Sequence, residues 1–182
     1  MSIIKLRNVR LSFPDLFTAV QFKGKGEFKY HATFLIPKED PQVKVIQETI
    51  QNSAKERWGA KAEVFTKEAI ANNRYCFRDG DAKDLEGYAG CMALHTSNKI
   101  QPKLLNRDKS PIIEDKGELY SGCYVVCSVD VYAYDNDFGK FVSATLRGVQ
   151  FMTNGDAFTG GGPVKDDEFD DLADTGEADG LT

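Results

Sequence analysis

Apolar and polar residues alternate along much of this chain, and each alternating stretch predicts a strand. Residues 3–13, IIKLRNVRLSF, set Ile4, Leu6, Val9 and Leu11 against Lys5, Arg7 and Arg10. The parity changes near Asn8, as a bulge makes it, and Pro14 is expected to end the strand. Residues 21–38 open on the glycine turn GKG and then alternate without a break. Phe28, Tyr30, Ala32, Phe34 and Ile36 form the expected core face; Lys29, His31, Thr33 and Leu35 form the other.

The period then changes. Asp40-Pro41 supplies an N-cap and a proline at the first helical position. Val43, Ile46, Ile50, Ala54 and Trp58 follow at helical spacing, and Gly59 closes the element. This predicts a helix over 41–57, and a short second helix is expected over 66–73. Short strands follow at 74–81 and 90–97. Residues 98–111 read as a long basic connection. Residues 118–137 carry the longest strand signal. Its antiparallel partner is expected at 139–152, through a turn at Asp135-Asn136-Asp137. Five or six strands and one well-formed helix predict a mainly β fold, a small antiparallel barrel or sandwich.

Periodicity stops after residue 162. Residues 163–182 hold eight carboxylates and one lysine, a net of −7, while the whole chain of 182 residues carries −5. The body, residues 1–162, is therefore +2. The acidic segment is expected to be a disordered C-terminal tail, and this split suggests a nucleic-acid partner more than the overall charge does. No apolar run reaches the ~18 residues of a membrane span, and the N-terminus lacks a leader's apolar block. A cytoplasmic protein without a membrane partner is expected.

Little in the chain points to catalysis. His31 and His95 lie in no metal or triad motif. Cys123 and Cys127 share one face of a predicted strand about 13 Å apart, too far to hold one zinc. They are expected to be buried free thiols, as are Cys76 and Cys91. The run DGDAKDLE at 79–86 lacks a calcium loop's ligand spacing. No metal or cofactor is implied. The enzymatic alternative is a metal-dependent nuclease built on Asp79, Asp81 and Asp84; another is a structural protein whose barrel mediates assembly.

The stronger signal is for binding. On residues 124–134, Val125, Cys127, Val129, Val131 and Ala133 form one face. Tyr124, Val126, Ser128, Asp130, Tyr132 and Tyr134 form the other. Phe138 and Lys140 follow at the turn, and Phe141, Ser143, Thr145 and Arg147 share a face of the partner strand. Flat rings beside cations suit single-stranded nucleic acid, because every base offers a π-face and every nucleotide a phosphate. The candidate rings are Tyr75, Phe77, Tyr124, Tyr132, Tyr134 and Phe138. The candidate cations are Lys23, Lys25, Lys29, Arg78, Lys99, Lys103, Arg107, Lys140 and Arg147, with His31 beside them.

The ordered set YHATFLIPK (30–38), RDGD (78–81), SNKIQP (97–102), YSGCYV (120–125), VYAYDN (131–136) and LRGVQF (146–151) resembles the bacteriophage single-stranded DNA-binding proteins. The resemblance spans most of residues 1–162. It implies an oligonucleotide-binding (OB) barrel with an inserted helix, binding without sequence preference or catalysis, and a role in phage DNA replication or recombination. The alternating faces and the charge set the site residues given above. Self-association along DNA is expected, as is normal for such proteins. An acidic tail is habitual in them and is expected to modulate binding or recruit replication and recombination proteins. Many bacterial counterparts end in an aromatic residue. This chain ends Leu181-Thr182, so partner contact is expected at Asp166, Asp167, Phe169, Asp170 and Asp171.

Overall fold

The computed structural model describes residues 2–22 and 24–158. Among them are seven strands and two α-helices: β1 (Ser2–Phe22), β2 (Lys25–Pro37), α1 (Pro41–Trp58), α2 (Ala62–Ala71), β3 (Phe77–Asp79), β4 (Cys91–Asn98), β5 (Lys103–Leu105), β6 (Tyr124–Asn136) and β7 (Gly139–Thr153). The hydrogen-bonded order is β3-β4-β2-β1-β6-β7-β5. A parallel bridge, Ser97 to Thr145, joins β4 to β7 and closes β1, β2, β4, β6 and β7 into a barrel. This is the expected mainly β, OB-like architecture, with both helices inserted between β2 and β4.

The alternating pattern places the core. Val125, Cys127, Val129 and Val131 of β6 point inward with Val142, Ala144 and Leu146 of β7. Ala32, Phe34 and Ile36 of β2 and Leu6, Val9 and Leu11 of β1 meet them. Helix α1 adds Val43, Ile46 and Ile50 to the same cluster. Its ends are as the sequence predicts: the Asp40 side chain accepts the Gln42 N–H at 2.9 Å, and Gly59 sits at φ 57. Helix α2 starts at Ala62, four residues before the expected position, because one tight turn at Gly59–Lys61 feeds it directly.

Two expectations about the strands are corrected. Pro14 does not end β1, which runs for 21 residues and is longer than β6. The β1–β2 register jumps from Ser12–Thr33 to Asp15–His31, and Phe13 takes φ 47. Pro14 thus falls in a bulge, where its missing N–H costs no ladder bond. The alternating face of β2 also breaks at both ends. Phe28 is 61% exposed because β2 there extends past the core, while Leu35 is buried on the outer side under Tyr88, Ala93 and Phe158. The bulge expected near Asn8 is present, with Asn8 at φ 55 and a register jump from Leu6–Cys127 to Val9–Val125. The basic connection after β4 hides a short strand, β5, parallel to β7.

Candidate nucleic-acid interface

The outer faces of β2, β4 and β7 carry the most suitable site. β2 presents Lys29, His31 and Thr33, and β4 presents His95 and Ser97, through the pairs His31–Ser97 and Thr33–His95. β7 presents Phe141, Ser143 and Thr145. Between β4 and β7 lies a concavity of about 210 Å³, lined by Arg74, Tyr75, Arg78, His95, Ser97, Phe141 and Ser143 among others, and by no carboxylate. The segment after α2 places its arginines. Arg78 donates to the carbonyls of Tyr75 (2.9 Å) and Asn73 (3.1 Å), and Arg74 donates to the Phe138 carbonyl.

Two hairpins bound this concavity. Since β4 and β7 run parallel through Ser97–Thr145, the β6–β7 hairpin lies toward the start of β4 and the β1–β2 hairpin toward its end. Each tip carries an exposed ring: Phe138 is 77% exposed and Phe28 is 61% exposed. The β6–β7 turn is tight, with Asn136 paired to Gly139. It is fixed from behind by Asp135, which accepts from Trp58 Nε1 at 3.0 Å and from Arg57 Nε at 2.9 Å. In an OB barrel the faces of the second and third strands, with the loops after the first and fourth, form the usual oligonucleotide surface. Here those strands are β2 and β4, and those loops are the two hairpins.

The rings along the β6–β7 hairpin form a ladder. Arg74 lies 4.9 Å over Phe141, Phe141 stacks on Tyr134 at 4.8 Å and 5°, and Tyr134 stacks on Tyr132 at 5.5 Å and 28°. Rings stacked on each other have less face left for bases. Tyr132, at the end of the ladder and 37% exposed, has the most to offer.

The two histidines stack at 5.7 Å. Loss of solvent lowers the His31 pKa, with the nearby Asp15 carboxylate opposing, and His31 Nδ1 is buried without a hydrogen-bond partner. Crowding by its neighbours, then the charges of His31, Arg78 and Lys29, push His95 down to about 4, although part of the residue still reaches solvent. Asp15 is itself raised by burial. Burial likewise pushes the Tyr75 phenol up to about 12, so it stays protonated as a donor.

The sequence-predicted residues therefore separate. Lys25, Lys29, His31, Tyr75, Arg78, Tyr132, Tyr134 and Phe138 lie on or beside this face. Phe77 does not: at 3% exposure it belongs to the core, since β3 turns it inward opposite Leu94. Lys140 points to the helical side, 4.3 Å over the Phe65 ring and 3.9 Å from Asp135. Tyr124 sits ten residues down β6 from Tyr134, about 33 Å away by strand rise, under the Arg10 guanidinium at 5.4 Å. Lys99 is tied to Glu27 at 2.8 Å. Arg107 is exposed in the turn after β5, and Lys103 and Arg147 meet on another part of the barrel. Lys23, Asp166, Asp167, Phe169, Asp170 and Asp171 lie outside the described residues. Missed from the sequence were Arg74, His95, Ser97 and Phe28. Only closure of β4 onto β7 brings the first three together.

Two other features suit nucleic acid less well. A concavity of about 750 Å³ is lined by Phe13, Leu119, Tyr120 and others with Asp15 and Asp115, and those carboxylates would repel a phosphate chain. Asp79 and Asp81 both pair with Lys38, at 2.8 and 2.5 Å, and cap local backbone N–H groups. Among the described residues no three His, Cys, Asp or Glu side chains gather as a metal site.

A barrel with rings and arginines between two hairpins defines an OB-type nucleic-acid-binding module. Comparison with known proteins makes the class specific. Residues 2–180 match the family described as the single-stranded DNA-binding protein of Enterobacter phage Enc34, and the chain belongs to that family. Protein p50 of Acyrthosiphon pisum secondary endosymbiont phage 1 is 50% identical over 173 residues, covering 93% of this chain and 94% of that one. The solved structure of the phage Enc34 single-stranded DNA-binding protein in complex with single-stranded DNA superposes with a TM-score of 0.74 at 26% identity, over 86% of this chain and 89% of that one. The single-stranded DNA-binding protein gp2.5 of bacteriophage T7 shares the fold, with a TM-score of 0.61 at 16% identity over 96% of each chain.

Proposed function

We propose that this chain binds single-stranded DNA without sequence preference during phage DNA replication or recombination. The acid-free concavity holding Arg74 and Arg78 between two ring-tipped hairpins carries this reading. Bases stack on Phe28, Phe138 and the free end of the Tyr132–Tyr134–Phe141 ladder, a contact that takes any base and contributes about 1–3 kcal/mol each. Arg74, Arg78, Lys25 and Lys29 neutralise phosphates, which fixes the path of the strand but reads no sequence. Duplex DNA hides its base faces, so this surface favours a single strand.

The role is stoichiometric and non-catalytic, exercised in the cytoplasm of the infected cell. Residues 1–162 act as the binding domain. Residues 163–182 form an acidic tail that competes for the basic face or receives replication and recombination proteins through Asp166, Asp167, Phe169, Asp170 and Asp171. Neighbouring copies associate side by side on the strand.

Titration of poly-dT against salt tests the core of this reading. Affinity should fall with a log–log slope of about −0.7 per neutralised phosphate. No retention of the strand at low salt would overturn it.

A further inference from the structure

A second basic surface lies on the same barrel. One residue row crosses four strands: Lys5 on β1 pairs with Ser128 on β6, Ser128 with Gly148 on β7, and Gly148 with Lys103 on β5. Two lysines thus stand on either side of a floor made of a serine and a glycine. Three strand spacings separate them, about 14 Å between backbones. Gly148 keeps that floor low, and a Cβ there would come within 3.2 Å of the Lys103 carbonyl.

Arg147 completes the surface through a bulge. The β6–β7 register passes from Ser128–Gly148 to Val129–Leu146, so Arg147 is the extra residue and has no partner across the ladder. Bulges of this kind re-aim a side chain, and Arg147 lines the same 280 Å³ cleft as Lys5 and Lys103. All three are exposed, and among the described residues none forms an ion pair. No carboxylate lines the cleft. Asp130, two residues further along the same face of β6, is engaged by the Ser2 N–H at 2.8 Å.

We propose that this trough is a second site for phosphodiester backbone, separate from the face that stacks bases. This rests on the reading of the chain as a single-strand binder. Ser128 is four residues from Tyr132, the free end of the ring ladder, about 13 Å by strand rise, so bases stacked on the ladder leave the trough unfilled. Three cations spread across a trough match a run of phosphates better than one small anion. The trough also lacks exposed rings, so it holds backbone and leaves bases free. The bound backbone is either the continuation of a strand that wraps the barrel or a second strand.

The test uses the full chain and the variant Lys5→Gln/Lys103→Gln/Arg147→Gln, with oligothymidines of about 8 and 30 nucleotides, which straddle the usual reach of one OB fold. The variant should keep the wild-type affinity for the short oligonucleotide within twofold. Its salt slope on the long one should be shallower by about 2, at ~0.7 per phosphate for three cations. Two short oligonucleotides per wild-type chain and one per variant chain would assign the trough to a second strand. One per chain in both, with the shallower long-strand slope, would assign it to the same strand. An unchanged slope on the long oligonucleotide would overturn the proposal. So would an equal loss on the short one, which would place these cations in the first site. If the wild-type chain binds neither oligonucleotide, the single-strand reading itself fails.

Discussion

Removing the hairpin rings separates stacking from charge. Phe28 and Phe138 are largely exposed and stand at opposite ends of the β4–β7 concavity. A truncation there touches no core contact, so Phe28→Ala and Phe138→Ala should each leave stability within about 0.5 kcal/mol of the wild type. If each ring stacks on one base, its loss costs about 1–3 kcal/mol of binding, a roughly 5- to 150-fold rise in Kd at 1.4 kcal/mol per decade. The strand rise puts the two hairpins some 30 Å apart, so the two losses should add. The double variant should therefore bind at least ~25-fold more weakly. Its log–log salt slope should not change, because a phenyl ring neutralises no phosphate. Fluorescence anisotropy of a labelled oligothymidine at several salt concentrations measures both quantities. Wild-type affinity in the double variant would refute stacking at the hairpins. A changed slope would show that the strand had moved.

Three further outcomes follow from the same structure. Truncation after Gly162 should tighten single-strand binding, most visibly at low salt where the tail's charge is least screened; unchanged Kd across a salt series would remove the competition role. His95, pushed down to about 4, and His31, lowered too, take up protons more readily in the unfolded chain than in the folded one. Stability should thus be full above the ordinary histidine pKa near 6.5 and fall as pH drops toward 4, and His31→Gln/His95→Gln should flatten that fall in urea titrations between pH 7 and 4.5. Among the free thiols, Cys76 and Cys123 are buried and raised to about 12 and about 11, and Cys127 is raised further, whereas Cys91 is half-buried; a thiol-reactive maleimide should label Cys91 first in the native chain, and prior labelling of Cys127 would contradict the core assignment.

The barrel's inward residues were legible because alternation is a local signal with a global cause. On β6 the buried set is Val125, Cys127, Val129 and Val131, as the alternating pattern requires. Helix α1 was legible because its cap, proline and stripe agree. Pro14 misled because a proline reads as a stop unless a bulge takes it up, and bulges depend on the partner strand's register. β5 was hidden because three residues carry no periodicity. The site was half legible: the sequence offered the rings of the β6–β7 hairpin, but it could not show that β4 closes onto β7. That closure turns Arg74, His95 and Ser97 into one surface with Phe141.

Phe28 shows why the remaining errors fall at the site. By alternation it shares a face with Ala32, Phe34 and Ile36, which are fully buried. The rule that gives it a core position assumes that a core lies beneath the strand along its whole length. β1 and β2 outrun the barrel and continue as a two-stranded hairpin, so the inward side of Phe28 opens onto solvent. A strand just long enough for the barrel would bury every inward residue and leave no projecting tip. The extra length carries a large apolar ring beyond the closed core without disturbing the core's packing. The cost is an exposed phenyl, which is reasonable where a ligand with many aromatic faces covers it. On the proposed reading that bases cover it, the inward-type residue found outside the core belongs to the binding surface, and loss of affinity in Phe28→Ala is the outcome that bears on it.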